Sequence, residues 1–280
     1  MKISTATSVF VNCTIADAIR HTADAGYDGI DIWGGRPHIY RHDFTSAELN
    51  GLRNLVSDLG LLVPSFMPAF FRYPHSLVSP NDVVRQDSLN YMYECADNAV
   101  ALGAFSLLIV PTRCLFGQSL EDGWQRLVDS VAAVCDYASQ YDIKLALEPT
   151  NREVSNLVNT TADAMRVIEA VGSAALGVAI DTGHIHLGDE TQQQAISRPG
   201  ERLLQVHVND NNGKVQQNLI LGEGSFDFPG FLGKLSASGY DGFLTAELGW
   251  SYTHDPIPAV QKMARIMRAS LERGQHDLNA

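Results

Sequence analysis

Eight short apolar runs, each followed by a longer amphipathic segment, constrain this chain more than any other feature. The runs predict strands at residues 2–4, 29–32, 62–65, 106–110, 144–147, 176–180, 203–208 and 243–247. Between them lie helical patterns with their own punctuation. The first covers residues 14–25 and carries Ile15, Ala18 and Ile19 on one face. The second opens with the capping-box pattern Thr45-Ser46-Ala47-Glu48 and continues as an apolar stripe of Leu49, Leu52, Leu55, Val56 and Leu59. The third, residues 82–102, stops at Gly103, and the fourth carries Trp124, Leu127, Val131 and Val134. Another capping pattern, Thr160-Thr161-Ala162-Asp163, starts a helix that stops at Gly172. Asp227 precedes a helix with Pro229 in its first turn, and residues 258–273 form the last one, before a polar tail at 275–280.

Regular strand–helix alternation builds a parallel sheet, because parallel neighbours need a crossover between them. Eight units in 280 residues match a (β/α)8 barrel, which takes about 250 residues. The expectation is an α/β TIM barrel formed as one domain over residues 1–280. An open doubly wound sheet is the rival, but no G-x-G-x-x-G follows the first strand.

Four of the eight runs end in a side chain that is costly to bury alone. Leu145-Ala146-Leu147 is followed by Glu148, Val178-Ala179-Ile180 by Asp181, and Leu244-Thr245-Ala246 by Glu247, while Leu204-Gln205-Val206 runs into His207. Successive members are separated by roughly one strand–helix unit. In a barrel they therefore converge on the rim at the C-terminal ends of the strands, where active sites form. Each position alone also has an ordinary reading, as a helix cap or a packed core histidine. Three carboxylates with one imidazole form a hard donor set that suits Mn²⁺ first, with Mg²⁺, Co²⁺ or Fe²⁺ as alternatives.

At these residues the chain resembles the xylose isomerase-like TIM-barrel superfamily of sugar phosphate isomerases and epimerases. That group includes ketose 3-epimerases, hydroxypyruvate isomerases and inosose dehydratases. Glu148-Pro149-Thr150-Asn151-Arg152 is similar to the E-P-x-N-R segment of ketose 3-epimerases. Asp181-Thr182-Gly183-His184 is similar to D-x-x-H, His207-Val208-Asn209-Asp210 to H-x-x-D, and residues 222–228 to G-x-G-x-x-D-[FY]. The resemblance implies that Glu148, Asp181, His207 and Glu247 are metal ligands. It also implies that Glu148 and Glu247 form the catalytic acid/base pair and that His184 binds a substrate oxygen. The reaction so implied is epimerisation or isomerisation of a ketose or a related polyol or sugar acid. A metal-stabilised enediolate would lose a proton to one glutamate and regain it from the other. Elimination from the same enediolate, as in an inosose-type dehydratase or a C-glycoside-cleaving subunit, is the alternative outcome. Two positions depart from the epimerase pattern. Val154 stands where an acidic residue is expected, and only Lys214 is available where a substrate-binding arginine follows the histidine.

Arg36, Arg72, Arg113 and Arg152 fall in rim loops, where they could hold an anionic substrate group or pair with carboxylates at the surface. Trp33, Phe66, Phe70, Phe71 and Trp250 are candidates to roof a sugar pocket, about half of them being expected to line it. Of these, Arg113, Arg152, Lys214, Trp33 and Phe66 are taken with His184 as the substrate contacts. His186 reads as structural.

A net charge of −12 argues against a nucleic-acid partner and so against an endonuclease on the same fold. Nothing in the sequence suggests a membrane span or a leader. The four cysteines, Cys13, Cys95, Cys114 and Cys135, form no C-x-x-C pair. They suit a reducing, cytoplasmic setting. A small carbohydrate substrate and a homo-oligomer, dimer or tetramer, are expected, with a hetero-complex left open.

Overall fold

The computed structural model describes residues 1–70 and 74–278. Eight parallel strands close into a barrel in chain order. They are β1 (Lys2–Ala6), β2 (Gly29–Trp33), β3 (Ser65–Met67), β4 (Ser106–Ile109), β5 (Lys144–Leu147), β6 (Leu176–Asp181), β7 (Leu203–Val208) and β8 (Phe243–Ala246). β1 pairs with both β2 and β8, so no strand edge is left open. The crossovers carry α1 (Ile15–Asp24), α2 (Ser46–Asp58), α3 (Asp82–Leu102), α4 (Leu120–Ala138) and α5 (Thr161–Val171). Two short helices, α6 (Thr182–Leu187) and α7 (Gln192–Ser197), follow β6. Then come α8 (Phe228–Ala237) and α9 (Pro256–Leu278).

The helix signals act as their chemistry requires. Both expected capping boxes close reciprocally, Thr45 with Glu48 and Thr160 with Asp163, and Thr191 with Gln194 forms a third. Gly103 and Gly172 end their helices in the left-handed conformation, at φ 75° and 72°. α9 continues to Leu278, so the expected polar tail begins inside a helix.

The third strand differs from its expected place. Pro64 has no amide to give to a ladder, and the run of paired residues starts just beyond it, at Ser65. Leu62 makes only an isolated bridge, to Gly29.

Strand alternation sorts the core into two compartments. Leu107, Ile109, Leu145, Leu147, Val178 and Ile180 belong to the large cluster packed under the helices. Ala6, Met67, Leu108, Ala146 and Ala179 form a separate small cluster in the lumen. Glu148 follows Ala146 by two positions and Asp181 follows Ala179 by two, so both inherit the inward direction. The lumen thus holds this small apolar cluster on β1 and β3–β6 together with the buried polar side chains Ser4, Asp31, Gln205 and Thr245 on β1, β2, β7 and β8.

Candidate metal centre

Glu148, Asp181, His207 and Glu247 each offer one ligand atom within 4.8 Å of all the others. Register produces this meeting. Asp181 lies opposite His207 across the β6–β7 pair. Glu148 and Glu247 continue the ladders one residue past their strands, through Glu148 N–H to Ile109 O at 3.0 Å and Glu247 N–H to Val208 O at 3.1 Å. His207 Nδ1 stands 3.0 Å from Glu148 Oε1 and 3.0 Å from Glu247 Oε2.

Asp181 takes the helix-cap role while also offering an oxygen to the candidate metal centre. Its Oδ1 accepts from His184 N–H at 2.8 Å and so caps α6, while Oδ2 accepts from Asn209 Nδ2 at 2.5 Å. Burial pushes the Asp181 carboxyl up to about 6, and the charges of Glu247 and Glu148 add to the rise against the pull of His184 and His207. Burial also opposes charge on His207, but its hydrogen bonds to Glu148 and Glu247 and their charges outweigh it and hold the imidazole well above its ordinary value. The Glu247 carboxyl, raised by burial, is brought below its ordinary value by that same histidine. Three acids around one basic group are short of positive charge. A divalent cation would supply what this donor set lacks, and His207 would have to give up its Nδ1 proton to admit it.

Neighbouring loops are clamped onto the site. Thr182 Oγ1 and Asn209 exchange backbone hydrogen bonds at 2.6 and 2.9 Å. Gly183 lies so close that a Cβ there would collide with Asn209 Oδ1, which explains the glycine in Asp181-Thr182-Gly183-His184. Asp210 accepts four backbone N–H groups, from Asn211 (2.8 Å), Gly222 (2.9 Å), Gly224 (3.1 Å) and Phe226 (2.9 Å). That carboxylate ties the glycine-containing loop to the end of β7. His184 Nδ1 lies 3.1 Å from Asn151 Nδ2, and Asn151 also donates to Gln216 Oε1 at 3.0 Å. His186 Nε2 meets Ser225 Oγ at 3.0 Å, in keeping with a structural part.

The expected substrate contacts are placed unevenly. Trp33 ends β2 and stands edge-on to Trp250 at 6.4 Å; Trp250 is 68% exposed. Phe66 does not face the site. It is fully buried in the cluster under the helices, and its neighbour Met67 takes the lumen position instead. The two-residue alternation decides this once β3 is shifted past Pro64. Phe70 is buried as well, stacked on Tyr91 at 5.6 Å. Arg36 forms a paired contact with Asp43 at 2.5 and 2.8 Å, and Arg152 an ion pair with Asp189 at 2.7 Å. Arg113 donates to the Arg152 carbonyl. The described rim arginines are thus engaged with protein groups, and exposed pairs of this kind contribute little to stability. Lys214 is exposed and Val154 is buried. Phe71 and Arg72 lie outside the described residues.

Sequence reasoning missed the polar residues inside the strands. Asp31, Gln205 and Thr245 are buried in the lumen, and each interrupts an apolar run on the inward-facing alternation. That interruption was the available signal.

The family model described as a xylose isomerase-like TIM barrel matches residues 19–270. The chain belongs to that family. It is 26% identical over 257 residues to the fructoselysine 3-epimerase of Shigella flexneri, covering 92% of this chain and 93% of that protein. It is 26% identical over 248 residues to the L-ribulose 3-epimerase of Mesorhizobium japonicum, covering 82% of this chain and 73% of that protein. Among solved structures, the zinc-bound crystal structure of the IOLI protein superposes with a TM-score of 0.83 at 17% identity, over 98% of this chain and 99% of that one. No described helix is long and apolar enough to cross a membrane.

Proposed function

We propose that this protein is a divalent-metal-dependent sugar epimerase that inverts one carbon next to the carbonyl of a ketose or ketose-like sugar. Two related proteins named as sugar 3-epimerases, aligned over most of the chain, support the reaction class. One observation carries the mechanism: two carboxylates from different parts of the rim, Glu148 after β5 and Glu247 after β8, close on the same point beside His207.

Glu148, Asp181, His207 and Glu247 would hold the ion, with Mn²⁺ the first candidate. When bound there, it supplies Lewis acidity toward a carbonyl and its neighbouring hydroxyl, which acidifies the C–H between them. Glu148 and Glu247 then divide the proton work. One carboxylate removes the proton and the other returns one from its own side, and the configuration inverts. His184, held by Asn151, is placed to bind a sugar oxygen, and the Trp33–Trp250 pair shields the mouth from water.

A panel of free and substituted ketoses, incubated in D2O with the Mn²⁺-loaded protein and followed by NMR, tests this reading. Epimer formation with deuterium entering only at the inverted carbon is expected. Loss of water or release of an attached group, without epimer, would show a lyase instead. Deuterium entry at the adjacent carbon, with aldose formed, would show an isomerase.

A further inference from the structure

Beneath the four candidate ligands the lumen holds a second polar cluster that the proton transfer does not use. Asp31 on β2 and Thr245 on β8 are completely buried, and Gln205 on β7 nearly so. Asp31 Oδ2 lies 2.8 Å from Gln205 Nε2. Asp31 Oδ1 lies 3.2 Å from Thr245 Oγ1, which in turn meets Ser4 Oγ at 2.7 Å. Gln205 Nε2 is also 2.6 Å from His207 Nε2, while Gln205 Oε1 is buried with no partner among the described residues. One end of one side chain therefore touches a buried acid and a candidate ligand together.

An amide's oxygen and nitrogen have nearly the same shape, so its orientation is set by what its neighbours donate and accept. Two arrangements fit these distances. In the first, the amide NH2 donates to an ionised Asp31 and to a bare His207 Nε2. His207 then carries its proton on Nδ1, against Glu148 and Glu247. In the second, a half-turn brings the amide oxygen between the two. It accepts from His207 Nε2–H and from a protonated Asp31, and Nδ1 is left bare toward the carboxylates. One group of the amide is orphaned either way, so the protons on His207 and Asp31 decide between them.

We infer that Asp31 and Gln205 form a positioning relay that selects the second arrangement and so frees His207 Nδ1 to serve as a ligand. A ligating histidine ordinarily donates its other N–H to an acceptor that fixes its tautomer. Gln205 is the described side chain within hydrogen-bond distance of that nitrogen. Burial, the largest influence on Asp31, lifts its carboxyl to about 7, against the pull of His207 and hydrogen bonds from Ser4, Thr245 and Gln205. Burial thus favours the protonated form that the second arrangement needs. The inference rests on the metal-site reading above.

Calorimetric titration of Mn²⁺ into metal-stripped protein at one fixed pH tests it. Gln205→Met keeps the side chain's length and removes the relay; Mn²⁺ binding is expected to weaken about 10- to 100-fold while the metal-free melting temperature stays near wild type. Asp31→Asn offers an NH2 to the Gln205 oxygen, as the protonated acid does, and is expected to retain the wild-type affinity. Wild-type affinity in Gln205→Met overturns the relay, and so does a loss in Asp31→Asn as large as that in Gln205→Met. If Gln205→Met fails to fold, Asp31→Asn decides alone: retained wild-type affinity supports the relay, and a loss of about tenfold or more overturns it. A wild-type protein that binds no Mn²⁺, Co²⁺ or Zn²⁺ overturns the relay and the metal-site reading together, whereas normal binding in wild type and both variants overturns only the relay.

Discussion

From β5 to β8 the rim presents Glu148, Asp181, His207 and Glu247, whereas the inward positions ending β1 to β4 hold Ala6, Trp33, Met67 and Val110. The two halves are also fastened differently. On the donor half, polar side chains at or just past the strand ends do the fastening: Asp181 caps the helix that follows it, Thr182 clamps Asn209, and Asp210 gathers the loop at residues 222–226. On the apolar half, side chains from a helix and a loop do it. Tyr91 of α3 accepts from Ala69 N–H at 2.7 Å and donates to Gly34 O at 2.8 Å, joining the loops after β2 and β3. His38 reaches Thr7 Oγ1 at 3.1 Å and Phe10 O at 3.2 Å. The proposed reaction chemistry thus sits on the half fastened from its own strand ends, and the proposed substrate wall sits on the half fastened from a helix and a loop.

The largest expected effect separates these halves directly. Glu148→Gln and Glu247→Gln should each lower epimerase turnover about 10²- to 10⁴-fold, the contribution of a positioned acid or base, with little change in melting temperature. Steady-state rates on the substrate found in the panel would check this; full activity in either variant would remove that glutamate from the mechanism.

The metal-free protein should lose stability as pH rises. Asp31 has a folded value of about 7 against an ordinary 3.8, so the folded state binds the proton more tightly than the unfolded chain. Asp181 behaves alike, at about 6. Stability is therefore greatest below the ordinary value and is lost as pH rises through the folded one. For Asp31 the loss is on the order of 4 kcal/mol between about pH 4 and pH 8. Urea unfolding of stripped protein across that window should show the fall, and Asp31→Asn should flatten it. A stripped protein equally stable at both ends would contradict the buried-acid account.

Asp210→Ala comes next. It orphans four backbone donors, two of which belong to buried residues, and should cost about 3 kcal/mol in urea unfolding, since each unsatisfied buried group costs roughly 1–3 kcal/mol. A cost below about 1 kcal/mol would mean that water replaces the carboxylate.

On the apolar half, Trp33→Ala should raise KM about tenfold, the effect of roughly 1.4 kcal/mol of lost contact, with Mn²⁺ affinity unchanged. A fall in metal affinity would show that the two halves are not separable.

Much of this was legible beforehand. Short apolar runs alternating with helical patterns gave the barrel, and the candidate donor set stood out because a carboxylate or imidazole ending an apolar strand needs a partner. Phe66 was misplaced because a three-residue strand following Pro64 gives alternation too little length to fix its direction. The rim arginines were ambiguous because charge alone does not name a partner; Asp43 and Asp189 come from other segments.

The sequence by itself determined the alternation, the capping residues and the four candidate donors, all of which depend on spacing along the chain. Tertiary structure decided what depends on neighbours around the barrel. Closure brought Asp31 of β2 against Gln205 of β7, 174 residues away, and set that glutamine against His207. A hydrogen bond of this reach leaves no periodic trace, because its partners share a lumen layer and not a stretch of chain.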